Sequence, residues 1–416
     1  MHQYSSIAEV SDLVRRQKVS PVALVKACLR RIEELNPRLN AFITVAADQA
    51  LEQANRAEAE IANGNWSGPL HGIPVGVKDF FDTAGIRTTG AFERLRDRVP
   101  AKDAEVVTRL KEAGAIIVGK TNMHVLGMGT TSVESCFGPV HNPWNVDYVA
   151  GGSSGGSAAA IAAGLCFATV DTDAIGSCRL PAACCGVTGF KATFGLLSTQ
   201  GILEGEPVDQ ETARTIAHIG HTALTCRTAE DVAIVLDVLA TPGVSRQESP
   251  AGFRAAIGKV KQPRIGVAKS YKATGEVRNA FEETVTVLRS LGYETVDVEA
   301  PLAPGFNLKN IEQDRKTISG SLFKHIEVLI LPTMTDVAPS IEEVKKSSNH
   351  QAVSSDNTFF CNYYGLPAIS LPCGFTQNGL PLGFQVIGPQ WSEGAVLNTA
   401  HSFQQTTRGR LKHPIA

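Results

Sequence analysis

The side chains whose types and surroundings suit covalent chemistry are Lys78, Ser153, Ser154 and Ser177. A serine hydroxyl is a weak nucleophile until a neighbouring base takes its proton. Lysine can be that base where burial strips water from its amine and lowers its pKa. Residues 71–79 offer such a setting. Ile73, Val75 and Val77 alternate along the segment, as in a strand, and the strand delivers Lys78 toward the interior. A plainer reading pairs Lys78 with Asp79 at an exposed strand end. Residues 151–157 are all glycine or serine. Glycine permits positive φ angles and a close approach of backbone to ligand. The alanine-rich residues 157–164 that follow favour helix. The loop's N–H groups therefore gather at a helix N-terminus, a natural place for negative charge. A second turn, Asp173-Ala-Ile-Gly-Ser177-Cys-Arg-Leu-Pro-Ala182, carries another serine. Two serine turns on one scaffold suggest acyl transfer.

Three arrangements compete on pattern. Gly152, Ser154 and Gly156 fit Gly-x-Ser-x-Gly, a nucleophile elbow with Ser154 at its tip. An elbow needs a strand before it and an acid and a histidine after it. Residues 144–150 follow a turn and are a poor strand, and the downstream His401 and His413 lie in a terminal helix and tail. A phosphate loop needs Gly-Lys-Ser/Thr after its glycines, and no lysine is there. The third arrangement uses Lys78 as base, a serine of the first turn as bridge, and Ser177 as nucleophile.

The surrounding elements alternate helix and strand, which predicts an α/β fold. Two amphipathic helices span 6–35, the second starting at Ser20-Pro21 and ending at Asn36-Pro37. A strand at 39–45, a helix at 48–63, the strand ending in Lys78, a helix at 104–113 and a strand at 115–118 follow. Lys120-Thr-Asn-Met reads as a turn, and 126–138 as a loop under the site. The sequence is less regular after Gly195: 205–217 reads as loop and 241–262 as a linker. Further elements are a helix at 229–239 capped by Thr228, a strand–helix–strand unit at 264–298, strands at 328–331, 368–371 and 382–387, and a closing helix at 393–405.

The motifs at 72–79, 120–123, 142–143, 151–157, 173–182, 186–195 and 365–374 together resemble the amidase signature family, over most of the chain. The resemblance implies an amidase signature fold, a large mixed β-sheet sandwiched by α-helices. It implies one domain over 1–416, with 65–200 as the catalytic core and about 262–330 as a smaller α/β excursion. It also implies a serine–cis-serine–lysine triad. Ser177 looks like the acyl nucleophile, Ser153 like the bridging serine on a non-proline cis peptide, and Lys78 like the ultimate base. Backbone N–H groups of Ala174, Ile175, Gly176 and Ser177 would form the oxyanion hole. Ser154, Asp173 and Arg179 would support the loops, Asp173 and Arg179 as an ion pair. Three positions depart from the family's usual pattern. Asp171 and Ile175 stand where a small residue is usual, and Cys178 where an aliphatic one is. A positive φ at Ile175 would strain a β-branched residue; Cys178 is expected to point away from Ser177. The segment between Pro301 and Leu331 is short for the family.

Composition bounds the function. The 416 residues are 43% hydrophobic, enough for a large core, and the formal net charge is -2. Charges of both signs are interspersed, which argues against a nucleic-acid partner. No apolar run reaches the roughly 18 residues of a membrane span. Residues 1–20 lack an apolar leader segment. The nine cysteines match no zinc spacing and read as reduced, buried thiols of a cytoplasmic protein. No metal or cofactor is expected. The expected activity is hydrolysis of a small-molecule carboxamide. The alternatives are a glutaminase-type amidotransferase subunit working with a partner, or a catalytically impaired family member that binds ligand. A homodimer or a small accessory subunit is compatible with this reading.

Overall fold

The computed structural model describes residues 2–206, 217–241, 252–259, 262–305, 307–407 and 412–414. Of the linker expected at 241–262, residues 252–259 are described and hold a short helix, Phe253–Ala256, whereas 242–251 and 260–261, and most of the loop expected at 205–217, lie outside the described residues.

The first half of the chain builds the frame of the site. Helices α1 (Ile7–Arg15) and α2 (Pro21–Leu39) open it, each N-capped by a serine hydroxyl, Ser6 and Ser20. Helix α2 does not stop at Asn36-Pro37 but runs one turn further, to a left-handed cap at Asn40. The Asn36 side chain explains the extension. It brackets Phe42, accepting from its N–H at 2.8 Å and donating to its carbonyl at 3.0 Å. Strand β1 (Phe42–Val45), helix α3 (Ala47–Ala62), strand β2 (Pro74–Lys78), helix α4 (Glu105–Glu112) and strand β3 (Ile116–Thr121) follow. Lys120 and Thr121, expected in a turn, complete β3. A small hairpin, β4 (His141–Asn142) and β5 (Asn145–Val149), stands apart from the main sheet. It makes a strand of residues expected to be a poor one. Then come helix α5 (Gly155–Ala162), strand β6 (Ala168–Asp173), helix α6 (Arg179–Cys185) and strand β7 (Thr188–Lys191).

The remaining strands are β8 (His221–Cys226), β9 (Ile265–Ala268), β10 (Thr295–Val298), β11 (Val328–Pro332), β12 (Ala368–Phe375) and β13 (Pro381–Ile387). Eleven strands form one mixed sheet in the order β1-β3-β2-β6-β8-β7-β12-β13-β11-β9-β10. Strands β3, β2 and β6 are parallel neighbours; β8, β7, β12 and β13 are antiparallel. The segment read as a smaller excursion supplies β9 and β10, which continue the same sheet beside β11. The sheet has an apolar layer on each face. Val75, Val77 and Ile117 pack with helices α1 and Ala229–Leu239, whereas Ile116 and Val118 pack with α2 and α5. This is the expected mixed sheet between helices.

Parallel strands buried on both faces leave their C-terminal ends as the natural crevice for a ligand. Here the C-terminal ends of β2 and β6 lie side by side, delivering Lys78 and Thr172-Asp173 to one place. Helices α5 and α6 start beside them. Helix α5 is buried all round, as its alanine content allows. Its first turn approaches the backbone so closely that a Cβ on Gly156 would lie 2.3 Å from the Asn122 carbonyl oxygen and 2.5 Å from that of Ala41. Gly156→Ala is therefore expected to destabilise the fold by about 3 kcal/mol, the upper range for overpacking. An unchanged thermal midpoint would show that α5 does not need this contact.

Candidate active site

Lys78 ends β2 with no exposed surface. Its Nζ lies 2.7 Å from Ser153 Oγ, 2.9 Å from Ser154 Oγ and 2.8 Å from Thr172 Oγ1. All three partners are hydroxyls. Burial pulls the amine down to about 8, with Asp171 and then more distant charges opposing it. Asp79 turns away and accepts hydrogen bonds from the Thr89 N–H and hydroxyl, so the plain Lys78–Asp79 pairing does not form. Lys120 and Lys191 are also fully buried and also lowered, to about 8 and about 7. Their amines donate chiefly to backbone carbonyls, of Phe81 and of Ala192 and Leu366. Partner chemistry rather than burial therefore sets Lys78 apart.

The Gly152–Ser153 peptide bond is cis, as the family resemblance implied. The Ser153 carbonyl accepts from the His124 N–H at 3.0 Å and from Ser132 Oγ at 3.2 Å. Desolvation, with the charges of His350 and Lys78, lowers the His124 imidazole to about 4, so it is neutral around pH 7. The two serine turns are tied directly: the Ser154 N–H donates to the Ser177 carbonyl at 2.9 Å. Ser177 is 3% exposed, and among the described residues its Oγ has no hydrogen-bond partner. The structure thus joins Lys78 to Ser153 and Ser154. It holds Ser177 beside them through backbone, without a Ser153–Ser177 side-chain hydrogen bond.

The second turn is organised by Asp173. Its carboxylate accepts from the Gly176 N–H at 2.8 Å, from the Cys178 N–H at 3.2 Å, and bidentately from Arg179 Nε and Nη2, both at 3.0 Å. Asn362 Nδ2 adds bonds to the Asp173 carbonyl and carboxylate. Arg179 spends its remaining donors on Gln385 and Asn362. Burial pushes the Asp173 pKa up, but the Arg179 charge and these donors outweigh it and hold the carboxyl below the usual range. The ion pair expected from the resemblance is present and fully buried.

Three departures from the family pattern have structural answers. The left-handed angle falls at Gly176, φ 131°, and not at Ile175. A Cβ on Gly176 would meet Thr358 Oγ1 at 2.4 Å, so the glycine is required there. Ile175 packs with Ala174 against Ile219, Ile311 and Tyr363. Cys178 turns inward, its Sγ 3.3 Å from the Leu224 carbonyl oxygen, and burial pushes its thiol pKa well up. It points away from the cleft, as expected, and is no nucleophile. Asp171 Oδ2 accepts from Thr169 and Thr225, while Oδ1 has no partner among the described residues. The expected oxyanion set needs one correction. The Gly176 N–H is committed to Asp173, whereas those of Ala174, Ile175 and Ser177 have no acceptor among the described residues. Thr172 was missed by the sequence reading, although it directly precedes Asp173 at the end of β6. A hydroxyl there carries no signal until β6 is known to lie beside β2.

The sequence profile described as Amidase matches residues 23–311 and 307–397. A curated relative, a Glutamyl-tRNA(Gln) amidotransferase subunit of Carboxydothermus hydrogenoformans, is 32% identical, covering 99% of each chain. That alignment spans 490 positions and this chain has 416 residues, so at least 74 positions have no residue here. Among solved structures, the peptide amidase of Stenotrophomonas maltophilia aligns with a TM-score of 0.82 at 26% identity, over 99% of this chain and 98% of that one. The corresponding Glutamyl-tRNA(Gln) amidotransferase subunit of Thermotoga maritima aligns with a TM-score of 0.80 at 26% identity, over 100% and 98%.

Replacing Arg179 by Met would leave the Asp173 charge buried without its partner. An uncompensated charge of this kind costs about 3–5 kcal/mol. Urea unfolding of Arg179→Met should show a loss of that size; a change within about 0.5 kcal/mol would remove Arg179 from its organising role.

Proposed function

Since the chain belongs to the amidase family, we propose that it hydrolyses the C–N bond of a small carboxamide through an acyl-enzyme on Ser177. The observation that carries this reading is a buried lysine amine hydrogen-bonded only to hydroxyls, one of them Ser153, with Ser177 tied alongside. Neutral Lys78 takes the Ser153 proton, and Ser153 takes that of Ser177. The Ser177 side chain first turns onto Ser153; their backbones are already in register through Ser154. Ser177 Oγ then bonds to the amide carbonyl carbon. The carbonyl oxygen takes up negative charge facing the N–H groups of Ala174, Ile175 and Ser177. Donors of this kind contribute about 3–4 kcal/mol each. The C–N bond breaks as the relay returns its proton to the leaving ammonia or amine. Water, deprotonated by the same relay, cleaves the ester and regenerates Ser177.

A second reading makes the chain an ammonia-releasing component of an amidotransferase that works with partner subunits. What favours it is the near full-length likeness to proteins of that name. Favouring the free hydrolase are the alignment positions this chain lacks and a net charge of -2, which offers no basic footprint for a nucleic-acid partner. A cytoplasmic location belongs to both readings and rests on nine unpaired cysteines, most of them buried. Among the described residues no helix is long and apolar enough to cross a membrane.

Two measurements test the chemistry. Ser177→Ala should lower kcat for amide hydrolysis by on the order of 10⁴-fold or more; retention of a tenth of the activity would exclude Ser177 as nucleophile. The pH profile follows from Lys78, which must be neutral to act. Activity should rise with pH and level off above about 8, since protonation of the amine removes the base below that value. A profile flat from pH 6 to 9 would contradict this role for Lys78.

A further inference from the structure

We propose that His124, Glu134 and His350 form a binding site for one divalent transition-metal ion of the zinc class, at the rim of the Ser153–Lys78 centre. One donor atom from each of the three lies within 4.8 Å of the others. His350 Nδ1 is 3.1 Å from Glu134 Oε1, and His124 Nε2 is 3.8 Å from Glu134 Oε2. An ion with tetrahedral bonds of about 2.0–2.1 Å sets its donor atoms roughly 3.4 Å apart, and the two imidazole nitrogens approach the two oxygens of the Glu134 carboxylate on that scale. Two imidazoles and one carboxylate suit zinc, cobalt or nickel, whereas calcium and magnesium prefer all-oxygen sites. Three protein ligands also leave a fourth position open.

The ligands are held by backbone as well as by each other. The Val125 N–H donates to the Glu134 carbonyl at 2.8 Å, and the Thr130 N–H donates to the His350 carbonyl at 2.8 Å. The His124 ring is 1% exposed and lies against Gly129, where a Cβ would sit 2.3 Å from it. Its other nitrogen, Nδ1, is 3.5 Å from Thr131 Oγ1, an outer partner of the kind that orients a metal-binding imidazole. Glu134 and His350 are about half exposed, so an ion can enter from solvent. A simple Glu134–His350 ion pair accounts for the shorter contact, but not for a buried imidazole nitrogen directed at the same carboxylate. The site adjoins the serines: the His124 N–H donates to the Ser153 carbonyl, and a Cβ on Gly127 would lie 3.7 Å from Ser153 Oγ. Metal binding would therefore fix the loop that backs Ser153.

The test is a titration of tag-free, chelator-stripped protein with Co²⁺, read by visible d–d absorption, followed by Zn²⁺ competition. The proposal expects one saturable Co²⁺ site per chain with tetrahedral-type bands, lost when Zn²⁺ is added. Glu134→Gln and His350→Ala, both at half-exposed positions, should each weaken binding by more than about tenfold. Ser177→Ala should bind Co²⁺ as the wild type does, which separates this site from the hydrolase reading. Absence of saturable binding, or binding unchanged in both Glu134→Gln and His350→Ala, would overturn the proposal.

Discussion

Everything around the site depends on one amine buried without a carboxylate in contact. An ammonium taken out of water is costly unless paired, and the protein answers the cost by lowering the pKa of the group. Lys78 meets three hydroxyls, which can donate to a neutral amine as readily as they accept from a charged one. That ambivalence is what a proton relay requires. Lys191 donates to backbone carbonyls, which accept only, and Lys120 to the Phe81 carbonyl and a single hydroxyl, that of Thr83, so neither is set among three hydroxyls as Lys78 is. To deliver Lys78 dry, β2 is buried along its whole length between β3 and β6.

The second turn solves a different problem with full charge. Asp173 and Arg179 form a buried, bidentate pair, and Asn362 and Gln385 satisfy the remaining donors. The cluster joins the end of β6, the start of α6, the helix Phe359–Tyr363 and β13, so residues nearly two hundred positions apart fix one loop. Buried pairs are weak evidence for stability but can specify a conformation. The conformation specified leaves three N–H groups, those of Ala174, Ile175 and Ser177, without an acceptor among the described residues. The fourth, at Gly176, is consumed in making it.

Much of this was legible in the sequence, for identifiable reasons. Lys78 at the end of an apolar strand and the glycine-serine run are local patterns, and each lies where it was expected; the Asp173–Arg179 pair was implied only by the family resemblance. What escaped depended on long-range pairing. Strand β8, His-Thr-Ala-Leu-Thr-Cys, is central and buried on both faces, so its threonines show no polar side and no alternation to read. Helix α6 begins with Arg-Leu-Pro, and Pro181 falls in its first turn, where a missing N–H costs nothing. Helix α2 passes Pro37 because Asn36 is held by Phe42, a contact invisible before folding. The bonds from Asn362 and Thr358 to the second turn are likewise products of the sheet order.

The central claim is that Ser177, and not a neighbouring hydroxyl or thiol, forms the acyl bond. The most direct measurement is mass-spectrometric mapping of the covalent adduct left by a serine-reactive fluorophosphonate and by slowly hydrolysed small amides. The predicted result is a single modified residue, Ser177, with labelling lost in Lys78→Ala. An adduct on Ser153, Ser154 or Cys178, or undiminished labelling without Lys78, would contradict it.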